Sequence, residues 1–372
     1  MKKTKNDIMI LEFIHQRKAT SRVELSKLLN ISEAAVSKRV KMLIDEGYLK
    51  ENKEKNRKTG GRNARGLEIN RDIGRVIGIY LGLENITISL SDIEGKILKT
   101  EKQRIEQITK VKEQTFKLLK KFIQGEKVIG IGVGMNGIVD SQRGISIYSA
   151  PYGWNNVEIK EELEREYKVP IFLENGVNLI ALYEKYMGSC KENSNFIVLN
   201  IGTGVKAGII LEDRIFSGKN FTVGEVGHIP YDFSKEAYIC SCGNKGCIET
   251  LLSDWCIERK VHKLVGKEME YDEIIQKANR GDKIYKEVIL EIIPVLSTMI
   301  FWLTTMINPE KIVIYGKLYK CNEFFWRELK RKIKECSLTS KSTPIIEKFE
   351  YDSKLIAQGA IILVMNNIFR YV

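Results

Sequence analysis

Between Gly224 and Thr250 the chain reads GEVGHIPYDFSKEAYICSCGNKGCIET. The stretch holds one of three histidines and three of seven cysteines, with glutamates on either side. His228, Cys240, Cys242 and Cys247 offer one nitrogen and three sulfurs, a donor set suited to tetrahedral Zn2+. The C-x-C-G-x-x-G-C spacing folds a short knuckle, and Gly243 and Gly246 permit its tight turns. Four protein ligands leave no open position, so the expected zinc is structural. Glu225 and Glu249 bracket the knuckle, and carboxylates are good acceptors for ligand hydroxyls. The other cysteines, Cys190, Cys256, Cys321 and Cys336, are scattered. That usage fits a reducing compartment and a metal site, not a disulfide framework.

The chain that positions these groups has 372 residues and a net charge of +12. Its length allows two or three domains. The charge is uneven: residues 1–72 carry eighteen Lys and Arg against ten Asp and Glu, and the remainder is nearly balanced. A basic arm on a near-neutral body suggests nucleic-acid binding. No apolar run approaches the ~20 residues of a membrane span, and no signal peptide is read at the N-terminus. A cytoplasmic protein with no membrane partner is expected.

Periodicity in the arm supports that reading. Ile8, Ile10, Leu11, Phe13 and Ile14 share one helical face. Ser21 or Thr20 caps a second helix, with Glu24 completing a capping box. Asn30 tolerates a left-handed turn, and Ser32 caps a third helix with Val36, Val40, Leu43 and Ile44 inward. This is the helix-turn-helix plan, its third helix lying in a major groove. Ser32, Ser37, Lys38 and Lys41 are the candidate DNA contacts there. Strands starting at Tyr48-Leu49 and ending at Leu67-Glu68-Ile69 flank KTGGRNARG, which reads as a wing carrying Arg62 and Arg65 toward a minor groove or phosphates. The arm is expected to be a separate domain with its own core.

From Arg75 onward, glycine-punctuated strands alternate with helices. With E-x-G-H at Glu225–His228 and C-x-C-G-x-x-G-C-x-E at Cys240–Glu249, their order resembles the ROK family. That family groups bacterial sugar kinases with sugar-responsive repressors. The resemblance covers essentially the whole chain, and the helix-turn-helix marks the repressor branch. It implies an α/β protein: a winged helix-turn-helix over 1–72 and a two-lobed, actin-like ATPase fold. Lobe one spans 73–190, with a C-terminal helix (353–372) returning to it. Lobe two spans 191–352 and carries the zinc knuckle. The resemblance also implies that Glu225, His228 and Glu249 contact a sugar, His228 touching sugar and zinc through its two ring nitrogens. Asn175 matches a further contact, and Asn155 lies on a loop near the sugar.

The departures from the kinase pattern bear on chemistry. Tyr80 stands where the first phosphate turn has its Asp, and Glu84 would repel a polyphosphate. Lys206 replaces a glycine of the second phosphate turn. Gly176 follows Glu174-Asn175 where kinases carry the catalytic carboxylate. Phosphoryl transfer needs a base and neutralised phosphates, so no enzyme activity is expected. The expected function is a sugar-responsive regulator, read as a repressor, that binds a double-stranded operator as a homodimer or higher oligomer. The rivals are an active kinase carrying a DNA-binding arm and a regulator whose sensor binds a protein.

Overall fold

The computed structural model describes residues 3–52, 66–336 and 343–371. The arm opens with α1 (Lys5–His15), capped by Thr4, whose side chain and Asp7 form a reciprocal capping box. Ser21 caps α2 (Arg22–Leu29), and the Glu24 carboxylate reaches back to the Thr20 N–H at 2.7 Å. Asn30 takes the left-handed conformation that turns the chain (φ 52°). Ser32 then caps α3 (Glu33–Asp45). An ion pair of 2.8 Å between Arg39 and the buried Asp7 ties α3 to α1. The wing strands β1 (Leu49–Asn52) and β2 (Gly66–Ile69) pair antiparallel, with Leu49 opposite Ile69. Arg62 and Arg65 lie outside the described residues.

The core of the arm, which the sequence reading takes as its own, runs on into the body. Ile10, Leu11, Ile14, Val40 and Leu43 belong to one apolar cluster with Val76, Ile93, Ile361, Ile368 and Phe369. The His15 ring meets Phe369 edge-on at 5.3 Å, and Arg370 pairs with Glu12 at 3.3 Å. Residues at the chain's C-terminus thus extend the core that the arm's helices and wing strands form.

Two compact units make up the chain: residues 1–174 with 357–372, and residues 175–356. The first is built on β3 (Arg75–Leu81), β4 (Asn85–Ser91), β5 (Ile97–Arg104), β6 (Val128–Met135) and β10 (Ile171–Asn175), in the order β10-β6-β3-β4-β5. Strands β3, β4 and β5 form an antiparallel meander, and β6 joins β3 in parallel. A small sheet of β7 (Ile138–Asp140), β8 (Ile145–Ser149) and β9 (Trp154–Val157) accompanies it. Gly78 and Gly132 are required on the main sheet. A Cβ at either would collide with a carbonyl of the helix Ser353–Met365, that of Ala357 or of Ala360.

The second unit repeats the same plan with β11 (Phe196–Ile201), β12 (Val205–Leu211), β13 (Arg214–Ile215), β14 (Lys311–Tyr315) and β15 (Ile345–Phe349), in the order β13-β12-β11-β14-β15. The helix Gly176–Tyr186 packs on β11 and β12. Among the described residues one helical stretch, Lys283–Ile307, is long and apolar enough to cross a membrane, although no continuous apolar run in the sequence points to it. Its Leu296, Met299 and Ile300 are buried in this unit's core, which accounts for the composition.

Phe369→Ala removes a ring from the cluster shared by arm and body. Aromatic truncations in cores cost about 3–5 kcal/mol. Chemical denaturation of the full chain should show a loss of that order, and amide exchange in Lys5–His15 should accelerate. Unchanged exchange there would mean that the arm is held independently of the C-terminus.

Candidate effector site and DNA-binding face

The knuckle is assembled from two segments of the second unit. The short helical turn Val226–His228 presents His228, and the loop to Glu249 presents the cysteines. Backbone bonds pin them together: Ile248 N–H to Ile229 O (3.0 Å), Tyr231 N–H to Gly246 O (2.8 Å) and Cys240 N–H to Asn244 O (2.8 Å). Gly246 is left-handed (φ 71°), and a Cβ there would collide with the Asp232 carbonyl. The donor atoms of His228, Cys240, Cys242 and Cys247 all lie within 4.8 Å of one another.

That spacing can be tested against a metal. Bonds of about 2.3 Å to sulfur and about 2.0 Å to nitrogen at tetrahedral angles put the donors roughly 3.5–3.8 Å apart. Cys242 Sγ and Cys247 Sγ are 3.7 Å apart, and His228 Nδ1 is 3.4 Å from Cys240 Sγ. The four residues therefore fit a four-coordinate metal ion, with Nδ1 as the histidine donor. Burial raises the thiol pKa of Cys240 and pushes that of Cys247 up to about 12. A cation among them reverses that preference, because it stabilises thiolate.

Two carboxylates flank the cluster, and each is held. Glu249 is buried; its Oε2 accepts the Val205 N–H at 3.2 Å, and its Oε1 accepts the Ser241 hydroxyl at 3.3 Å. Glu225 Oε1 is ion-paired with Lys206 Nζ. The sequence shows Lys206 as a long side chain in a glycine pattern, and nothing in its spacing reveals this partner. Nor does it reveal that β12 tethers both carboxylates, Val205 through its backbone and Lys206 through its side chain.

The remaining candidates sit as follows. Asn175 caps the helix Gly176–Tyr186, its Oδ1 accepting the Val177 N–H at 2.8 Å. Asn155 is exposed on β9 of the first unit and accepts from Asn156 Nδ2 at 3.0 Å. Of the two compact units, the second holds Asn175, Glu225, His228 and Glu249, and the first holds Asn155. On α3, Val36, Val40 and Leu43 face the core, while Lys38 and Lys41 are exposed and Ser37 is half-buried. Ser32 is exposed at the cap, with its Oγ accepting the Ala35 N–H at 3.3 Å. The third helix thus presents small and cationic side chains outward, as base-edge and phosphate contact requires.

The positions that would handle phosphate are filled. Tyr80 is buried and donates to Asn136 Oδ1 at 3.3 Å. The Asn136 amide bonds the Tyr152 hydroxyl (3.0 Å) and the Leu81 carbonyl (3.3 Å), and Tyr152 also donates to Leu81 O. Burial raises the Tyr152 pKa far above its ordinary value, so the phenol remains neutral. Two phenols and an amide close the turn where a carboxylate and a metal-bound phosphate would need room.

Residues 76–367 match the ROK family, and residues 3–50 match a winged helix-turn-helix DNA-binding family. The chain belongs to the ROK family. It is 31% identical over 389 residues to a xylose repressor of Caldicellulosiruptor bescii, covering 98% of this chain and 96% of that one. It is 30% identical to the DNA-binding transcriptional dual regulator NagC of Escherichia coli, covering 86% and 82% of the two chains. Among solved structures, a ROK transcriptional regulator homologous to the E. coli MLC protein superposes with a TM-score of 0.85 at 25% identity, over 98% of this chain and 97% of that one. A ROK hexokinase from Thermus thermophilus shares the fold of the body, with a TM-score of 0.67 at 23% identity over 77% of this chain and 97% of its own. The repressor relatives and the winged helix place this chain among the family's DNA-binding regulators and not among its enzymes.

The filled phosphate turn carries a consequence for catalysis. The protein should not phosphorylate sugars in a coupled ATP assay. Gly176→Asp, which restores a carboxylate, should remain inactive, because Tyr80, Tyr152 and Lys206 still occupy their places. Turnover above background by the parent, or by the single variant, would contradict this.

Proposed function

We propose that this chain is a sugar-responsive transcriptional repressor whose kinase-like body senses the sugar. The observation that carries the reading is a division within the body. Glu249 is held against the Cys3His cluster and Glu225 is held by Lys206, while Tyr80 fills the first phosphate turn and Gly176 leaves no carboxylate to act as base. Binding without turnover is what a sensor needs.

In this reading the cluster holds a structural Zn2+ through His228 Nδ1, Cys240, Cys242 and Cys247. The ion's task is geometric, keeping His228 and the adjoining carboxylates at fixed positions. Glu225, His228, Glu249 and Asn175 form the proposed effector set of the second unit, and Asn155 is the sugar-contact candidate of the first. The DNA set is Ser32, Ser37, Lys38 and Lys41, with Arg62 and Arg65 added from the wing. A homodimer would present two α3 helices to a two-fold operator in the cytoplasm. Sugar releases DNA only by binding one state of the protein better than the other.

Two measurements test this. Operator affinity should fall steeply with salt, because each phosphate contact releases counterions. In Lys38→Ala/Lys41→Ala the slope of log K against log salt should drop by about one per lysine; an unchanged slope would remove these residues from the interface. For the sensor, Cys242→Ser should lose bound zinc and respond poorly to sugar while still holding the operator at low sugar. If the variant keeps one zinc per chain and a normal response, the metal does not organise the site. If the parent binds the operator but no sugar releases it, the body senses a protein partner instead.

A further inference from the structure

A cavity of about 520 Å³ opens in the second unit, and none of the proposed effector residues lines it. Small-molecule sites measure roughly 300–1,000 Å³. Tyr315 and Phe349, the last residues of β14 and β15, form one wall. They are partners in the parallel register, and their rings stack with centroids 5.8 Å apart. The crevice outside the carboxyl ends of parallel strands is where α/β sheets take ligands. The helix Gly176–Tyr186 adds Tyr183 and Glu184, and the helix Ser353–Met365 adds Leu355. Tyr315 is buried, but Phe349 is 38% exposed, so one ring of the stack remains uncovered.

The charged residues lining the cavity are all acids: Glu184, Glu350 and Asp352. Glu184 is buried, and both its oxygens accept, as those of an ionised carboxylate do. Its donors are the Tyr315 hydroxyl and the Ser189 N–H (2.6 Å), both neutral, so they leave its charge uncancelled. Asp352 Oδ1 likewise accepts a neutral donor, the Lys354 N–H at 3.0 Å. Glu350 is exposed and bonds the Tyr319 hydroxyl. The neighbouring cations are committed to other acids. Lys320, beside Glu350, pairs with Asp272 at 2.9 Å, and Lys311 pairs with Glu347 at 3.0 Å.

We infer that this cavity is a second ligand site, built for a small organic cation: a protonated amine on an aromatic or other apolar body. The faces of aromatic rings attract a cation, most strongly where water is displaced. The carboxylates add negative charge with no lining cation to oppose it, and the apolar body covers Phe349 and Leu355. A neutral ligand of the same shape gains only the apolar contact, and an anion is repelled. The site stands apart from the sugar-sensing reading and does not rest on it.

The test is calorimetry on the full-length protein at neutral pH and low salt with two matched sets of probes. One is phenethylamine, 2-phenylethanol and phenylacetate; the other is tryptamine, tryptophol and indole-3-acetate. In at least one set the amine should bind roughly ten times or more tighter than its neutral and anionic counterparts. Phe349→Leu keeps apolar bulk but removes the ring face, and a cation–π contact corresponds to roughly two- to thirtyfold in affinity. The amine should weaken by that factor. Glu350→Gln should weaken the amine and leave the alcohol within about threefold. Both positions are exposed, so both variants should fold as the parent does. Three results overturn the inference. Neither amine binds the parent, or an alcohol or carboxylate binds as tightly as its amine. The third is an amine that binds Phe349→Leu and Glu350→Gln as tightly as the parent, which places it elsewhere on the protein.

Discussion

Glu249 is the group that ties the Cys3His cluster to the sheet. It follows the last knuckle cysteine by two residues, so the loop that gathers the sulfurs also delivers this carboxylate. One oxygen is tied to the β12 backbone at Val205 and the other to Ser241 inside the knuckle. A buried carboxylate is tolerated only where its oxygens are satisfied. That requirement binds knuckle and sheet into one body. Glu225 is tied to the same strand one residue further along, through its ion pair with Lys206.

The arm poses the complementary question of how a body reports to DNA. Its helices share apolar contacts with β3 and with the chain's last residues, so they do not hang on a free linker. Packed cores shift between discrete arrangements more readily than they deform continuously. The turn Ile368–Arg370, which follows the helix Ser353–Met365, meets α1 through Phe369 and Arg370. The glycines of the first sheet, which let that helix lie against the strands, also make its seat specific.

Loss of catalysis in this chain is a matter of volume as well as of missing groups. Tyr80, Asn136 and Tyr152 bond one another and the Leu81 carbonyl. Together they form a satisfied, partly buried polar network at this turn.

Much of this was legible before any coordinates. Helix caps and the left-handed Asn30 follow from local rules, because each involves residues a few positions apart, and the wing strands, the metal donors and the flanking carboxylates show as residue types at recognisable spacing. The same locality made the defects at Tyr80, Gly176 and Lys206 visible as departures from a pattern. Tertiary structure alone decided how those side chains are used. Lys206 finds Glu225 nineteen residues away, Tyr152 finds Leu81 at a separation of 71, and Arg370 finds Glu12 at 358. Strand order and register bring such pairs together, and neither is written in the spacing of either partner. The sequence could therefore name the groups of a sensor and its DNA-binding helix. Only the folded chain could show that a lysine pairs with one carboxylate and that the arm's core continues into the C-terminal residues.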